Sequence, residues 1–145
     1  MFKHILLPVD GSSTSLMAVE KVRGLAQAFK STVTAIYVID PYAFSGVGTD
    51  FSYGQAQYLG AATTEGNEAL KGATEVLEAA GISVNTSIIE CHAIYRGILE
   101  TASSVGADLI VMGSHGRRGL EKLVLGSVAA QVLAHAQLPI LVVRD

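Results

Sequence analysis

The sequence carries one cysteine, Cys91, so no internal disulfide can form. Such a chain suits a reducing compartment. No run approaches the roughly 18 apolar residues that a membrane span requires. The opening, MFKHILLPVDG, has a short apolar run but neither the longer apolar core nor the cleavage site of a signal peptide. Positive charge is also scarce. Ten Lys and Arg stand against thirteen Asp and Glu, for a net charge of −3. A global basic footprint for nucleic acid is therefore missing, and any anion site must be local. Together these absences predict a soluble, cytoplasmic protein with no nucleic-acid or membrane partner.

Several chemical signatures are missing too. No Gly-Lys dipeptide occurs, so there is no Walker A loop. The first apolar run leads into DGSSTS rather than G-x-G-x-x-G, so the dinucleotide fingerprint is absent. G-x-S-x-G is absent, which argues against a serine hydrolase elbow. The four histidines, His4, His92, His115 and His135, lack metal-motif spacing.

What remains is apolar and ordered. Half of the 145 residues are hydrophobic and 16% are charged, which favours one globular domain over disorder. His4 to Val9 reads as a buried strand, followed by capping candidates Ser12, Ser13 and Thr14. Leu16, Val19, Val22, Leu25, Ala26 and Phe29 then recur at helical spacing. TVTAIYVI, 32–39, is a second strand. Residues 40–60, rich in glycine and aromatics, show no clear period and read as a long loop, helical at most towards its end. Helix 64–80, strand 83–90, helix 93–105, strand 107–113, helix 127–136 and strand 139–144 complete the pattern. Regular alternation with apolar strands predicts an α/β protein. It is a single three-layer doubly wound domain over residues 1–145. Its five-stranded parallel sheet has order 3-2-1-4-5, with helices on both faces. Ligands of such sheets bind beyond the carboxyl ends of the strands.

One loop stands at that edge with most of the local positive charge: GSHGRRGLEKLVLGS, 113–127. Gly113, Gly116 and Gly126 have the spacing G-x2-G-x9-G-S. Glycines allow close approach to the main chain, and exposed N–H groups in such turns form an anion nest. Gly126-Ser127 opens a helix, whose first N–H groups favour phosphate. Arg117 and Arg118 supply charge, with Lys122 beside them. The plain alternative is a strand end, a solvated turn and a helix start.

These residues resemble the universal stress proteins, in particular their ATP-binding branch. Gly113, Gly116, Gly126 and Ser127 match the branch motif G-x2-G-x9-G-[S/T] in full. HILLPVDGS, IYVID, ADLIVMGSHGR and LPILVVR extend the resemblance over the whole chain. The resemblance implies ATP, or another adenine nucleotide, with Mg²⁺ or Mn²⁺ held mainly by phosphate and water oxygens. It implies that Asp10 contacts the adenosine part, with Pro8 and Val9 shaping the pocket. Val38 would meet the adenine, and Met112 and Gly113 would lie under ribose or base. Gly116, Arg117, Gly126, Ser127 and Val128 would surround the phosphates, and His115 would line the same channel. It implies a homodimer through the last strand, residues 138–144. The mechanism expected is a switch, in which nucleotide binding orders the glycine loop and an unknown protein partner reads the ordered surface.

The sequence departs from the family after its third strand. Cys91-His92-Ala93 stands where many relatives have glycine and a small residue or proline, and Cys91 there would narrow the pocket or give a redox-sensitive thiol. Each role also has a plainer alternative: Asp10 as a turn residue, Val38 and Met112 as core, Cys91 as an inert thiol. The aromatic stretch 41–60 either covers the nucleotide or joins a subunit interface. Asp10 and His115 lack evident orienting partners for attack by water, so binding with slow hydrolysis at most is expected. A non-nucleotide dimerisation module of the same family is the main rival. A receiver domain is disfavoured, since Glu90-Cys91 stands at the third strand's end and no lysine follows Lys122. A pyrophosphatase-type enzyme is disfavoured because DGSSTS lacks the double glycine and second aspartate.

Overall fold

A computed structural model describes residues 1–42, 51–116 and 125–145, with the side chains of 51 and 52 excepted. The elements alternate as expected: β1 (His4–Pro8), α1 (Ser13–Phe29), β2 (Thr32–Ile39), α2 (Phe51–Ala79), β3 (Val84–Glu90), α3 (Ile94–Val105), β4 (Leu109–Gly113), α4 (Ser127–His135) and β5 (Ile140–Val143). All strands are parallel, in the order β3-β2-β1-β4-β5. The chain steps outward from β1 to β3, then returns to the other side of β1 for β4 and β5. The reversal therefore lies between β1 and β4, where the carboxyl ends of neighbouring strands diverge.

Side-chain alternation sorts the core into two layers. Leu7, Val33, Ala35 and Val111 face α1 and α2, where they pack with Val22 and Leu77. Leu6, Ile36, Ile110 and Met112 face α3 and α4, where they pack with Ile98 and Val132. Strands buried on both faces need apolar residues at consecutive positions, as in HILLPV and LIVM. At the amino edge, Asp108 ties β4 to the start of β1. Its carboxylate accepts the Lys3 N–H at 3.0 Å and the His4 N–H at 3.1 Å.

The expected loop at 40–60 needs correction. Helix α2 begins at Phe51, thirteen residues before the Thr64 at which the apolar period becomes regular. Gly54, Gln55, Gln57 and Gly60 hide the period, and tertiary contacts supply what propensity lacks. Tyr58 donates its hydroxyl to the Asp40 carbonyl at 3.1 Å, and Gln55 donates to the Pro41 carbonyl at 3.2 Å. Twenty-nine helical residues extend about 43 Å. The eight-residue β2 beneath extends only about 26 Å. Residues 43–50 lie outside the described residues. Among the described residues, no helix is long and apolar enough to cross a membrane.

Candidate functional site

Strand β1 delivers Val9 and Asp10 to the carboxyl edge. The Val9 N–H still pairs with the Ile36 carbonyl at 2.8 Å, and its side chain is buried in the α1/α2 layer. Asp10 then leaves the sheet. One carboxylate oxygen accepts the Ser12 N–H at 2.9 Å, while its own N–H donates to Ser15 Oγ at 3.2 Å. Ser12 in turn caps α1, accepting the Ser15 N–H at 3.2 Å. The start of α1 is thus closed by its own side chains. Asp10 is a turn residue, as its plainer alternative had it, but its second oxygen turns the other way. A Cβ placed on Gly116 would lie 2.7 Å from Asp10 Oδ2. The carboxylate therefore reaches across to the loop after β4.

That loop is held from two sides. Gly113 ends β4 directly against α1. A Cβ there would lie 2.5 Å from Thr14 Oγ1 and 2.9 Å from the Thr14 carbonyl carbon. No side chain fits, because the obstruction includes backbone. Thr14 is buried and donates its hydroxyl to the His115 carbonyl at 2.6 Å. Ser114 is fully buried. Its N–H pairs with the Val143 carbonyl at 2.8 Å, and its carbonyl accepts the Gly126 N–H at 2.6 Å. Its hydroxyl meets His115 Nδ1 at 2.8 Å, which orients the imidazole. Gly126 is the N-cap of α4, and a Cβ on it would lie 3.1 Å from His115 Cα. The strand end, the histidine and the start of α4 are therefore pressed together.

Helix α4, unlike α1, begins without a side-chain cap. Its first N–H groups stand where an anion would satisfy them and where the helix dipole favours negative charge. Ser127, at the first position, is exposed and Val128 is half-buried. Helix α3 also begins without a side-chain cap, at Ala93. The expected site residues Asp10, Gly113, His115, Gly116, Gly126 and Ser127 thus gather around one edge, and Val128 sits in the first turn of α4. Arg117, Arg118 and Lys122 lie outside the described residues.

The apolar members also pack within the fold. Met112 is buried between the sheet and the α3/α4 layer. Val38 packs on α3, its Cγ1 3.0 Å from where a Cβ on Gly97 would sit. Pro8 closes β1, paired in register with Ile36. Cys91 is half-buried, its Cβ against the same Gly97, and its N–H bonds the Ile39 carbonyl at 2.9 Å. Beyond it, His92 Nδ1 lies 3.4 Å from Asp40 Oδ1, and its ring meets Tyr42 edge-on at 5.1 Å. Among the described residues, no group of three or more His, Cys, Asp or Glu side chains is placed to hold a metal ion. Two shallow hollows, one beside Lys71 and Thr86 and one beside Lys30 and Gly81, include none of the carboxyl-edge site residues.

Sequence reasoning missed Thr14 and Ser114 as parts of this site. Thr14 stood among three capping candidates, of which Ser12 alone is the cap. Ser114 stood only as a letter in GSHG. Neither has a local signal, because their partners belong to other elements.

Comparison with known proteins agrees with the fold. The sequence model of the universal stress protein family matches residues 1–144. Universal stress protein MJ0531 of Methanocaldococcus jannaschii is 39% identical over 144 residues, covering 99% of this chain and 83% of the relative. A putative universal stress protein of Staphylococcus epidermidis is 32% identical, covering 99% and 84%. The solved structure of MJ0577, from the same archaeon, superposes with a TM-score of 0.86 at 30% identity, covering 100% of this chain and 97% of that one. More distant members share the fold. One was solved with cAMP, at TM-score 0.70 and 24% identity, covering 99% and 97%. One from Archaeoglobus fulgidus was solved with dAMP, at 0.66 and 18%, covering 99% and 98%. With the sheet order and a match over nearly the whole length in agreement, the chain belongs to the universal stress protein family.

Proposed function

We propose that this chain, as one unit over residues 1–145, is a cytoplasmic adenine-nucleotide-binding stress protein. ATP is the expected ligand, and occupancy is the signal. The observation that carries the reading is the convergence of Asp10, His115, Gly116 and the uncapped start of α4 on one edge. The α4 N–H groups and the Ser127 hydroxyl are suited to phosphate. The Asp10 carboxylate would repel phosphate and suits the ribose hydroxyls, which donate hydrogen bonds. It would therefore confine the phosphates to the α4 side. The relatives solved with cAMP and dAMP support an adenine ligand.

Mg²⁺ or Mn²⁺ would neutralise phosphate charge. With no three-residue ligand cluster among the described residues, it would rely on phosphate and water oxygens. The chain's own residues offer weak means for hydrolysis. Asp10 is held in the α1 turn through one oxygen only, and Ser114 orients His115 through Nδ1, but neither contact supplies a group that would stabilise the charge developing in phosphoryl transfer. Slow hydrolysis at most, with a protein partner reading the bound state, is the expected mode.

One observation favours the rival, a family module that dimerises without nucleotide. Gly113 is required by packing against the Thr14 backbone, and a Cβ on Gly116 or Gly126 would crowd Asp10 or His115, whatever the ligand. Calorimetric titration with ATP and Mg²⁺ separates the two readings. Ser127→Ala, at an exposed position, should keep the fold and weaken ATP about tenfold, as expected for one charge-assisted hydrogen bond. No heat with ATP, AMP or a cyclic nucleotide would leave the dimerising module.

A further inference from the structure

Thr14 is buried at the start of α1, yet it does not cap that helix. Its hydroxyl hydrogen goes instead to the His115 carbonyl, 101 residues away, at 2.6 Å. That carbonyl belongs to the 115–116 peptide, which is trans. In a planar trans peptide the C=O and the N–H point in opposite directions. Holding the His115 oxygen towards α1 therefore aims the Gly116 N–H away from α1. Gly116 is exposed, and no described group accepts its N–H.

The same peptide could be turned over at low steric cost on its far side, because Gly116 has no Cβ to restrict the rotation. A turned peptide would present an oxygen where an N–H had been. For a phosphate the two orientations are opposite in sign: one donates a hydrogen bond, the other repels. The interior side decides between them. With Thr14 in place the carbonyl has its donor. Without the hydroxyl it loses that donor in a partly buried setting, which is costly.

We infer that Thr14 is a positioning residue that sets the orientation of the 115–116 peptide and thereby makes the loop selective for phosphate-bearing ligands. The inference rests on the nucleotide-binding reading. Thr14 touches no ligand in this scheme and acts only through the peptide. The tight fit of Gly113 against the Thr14 backbone keeps the hydroxyl within reach, since α1 cannot retreat from the end of β4 without breaking that contact.

The test compares wild type with Thr14→Val, which keeps the shape and removes the hydroxyl, and Thr14→Ser, which restores it. ATP and adenosine are each titrated by calorimetry, and the His115 carbonyl ¹³C shift is recorded on the nucleotide-free protein. Thr14→Val should lower ATP affinity about tenfold relative to adenosine, the order of one lost hydrogen bond to a charged group. The carbonyl shift should move, and Thr14→Ser should recover both. A purely structural role would weaken both ligands alike. An unchanged ATP-to-adenosine ratio in Thr14→Val, with wild-type binding intact, overturns this inference alone. Wild type that binds neither ligand overturns the nucleotide reading and this inference with it. Should Thr14→Val fail to fold, Thr14→Ala and Thr14→Ser form the same comparison.

Discussion

Asp108 illustrates how much one exposed carboxylate can organise. Burial alone would raise its pKa, but the backbone N–H groups of Lys3 and His4, with its own, outweigh that and hold it below the usual range. Those bonds also keep β1 beside β4, the pair whose far ends build the site. A carboxyl with a lowered folded-state pKa contributes stability above its unfolded value of about 3.9 and loses it as pH falls through the folded value. Asp108→Asn should therefore be less stable than wild type at neutral pH. The gap should close on acidification below about pH 4, as denaturant midpoints across pH would show. A constant gap at every pH would mean that charge is not involved.

Helix α2 shows how an element's glycines can have opposite meanings. Gly72 is exposed and a Cβ on it would meet nothing within 4 Å. Gly66 is buried, and a Cβ on it would lie 2.8 Å from Tyr37 Cδ1 on β2. Gly72→Ala should gain up to about 1 kcal/mol from helix propensity. Gly66→Ala has the same propensity gain, but overpacking of about 1–3 kcal/mol against the Tyr37 ring outweighs it. Thermal unfolding of the two variants should move in opposite directions. Equal shifts would show that α2 can slide off β2, and that its long amino-terminal overhang is not seated by this contact. The overhang itself rests on Gln55 and Tyr58, which bond the chain leaving β2.

At the scale of the molecule, the two sheet edges differ. β3 presents Asn85, Thr86 and Ser87 as exposed residues. β5 is four residues of Ile, Leu and Val, with Leu141 39% exposed. An apolar edge strand invites pairing, and a second copy would meet it across a two-fold axis. We propose that residues 138–144 form a homodimer interface. Val143 is buried in the core, so a charge there would damage the fold rather than test the interface. Leu141→Lys should give folded monomers by sedimentation velocity, whereas an unchanged dimer would move the interface elsewhere. Since Val143 also accepts the Ser114 N–H, the edge strand and the glycine loop share one backbone bond.

The sequence by itself determined the alternation of strands and helices, the apolar strands buried on both faces, and the position of the glycine loop at the carboxyl edge. These follow from periods and turn residues within a few positions of one another, which local pattern records. It also supplied Gly113, Gly116, Gly126 and Ser127, whose spacing is itself a local signal. Only the tertiary structure decided where α2 begins, since Tyr58 and Gln55 find their acceptors at residues 40 and 41. Only it showed that Asp10 serves both a turn and the loop, and that Gly113 is demanded by packing against the Thr14 backbone. Thr14 and Ser114 were illegible for the same reason. Their hydrogen bonds join residues far apart in the chain, and no neighbour in sequence reports a partner 101 positions away.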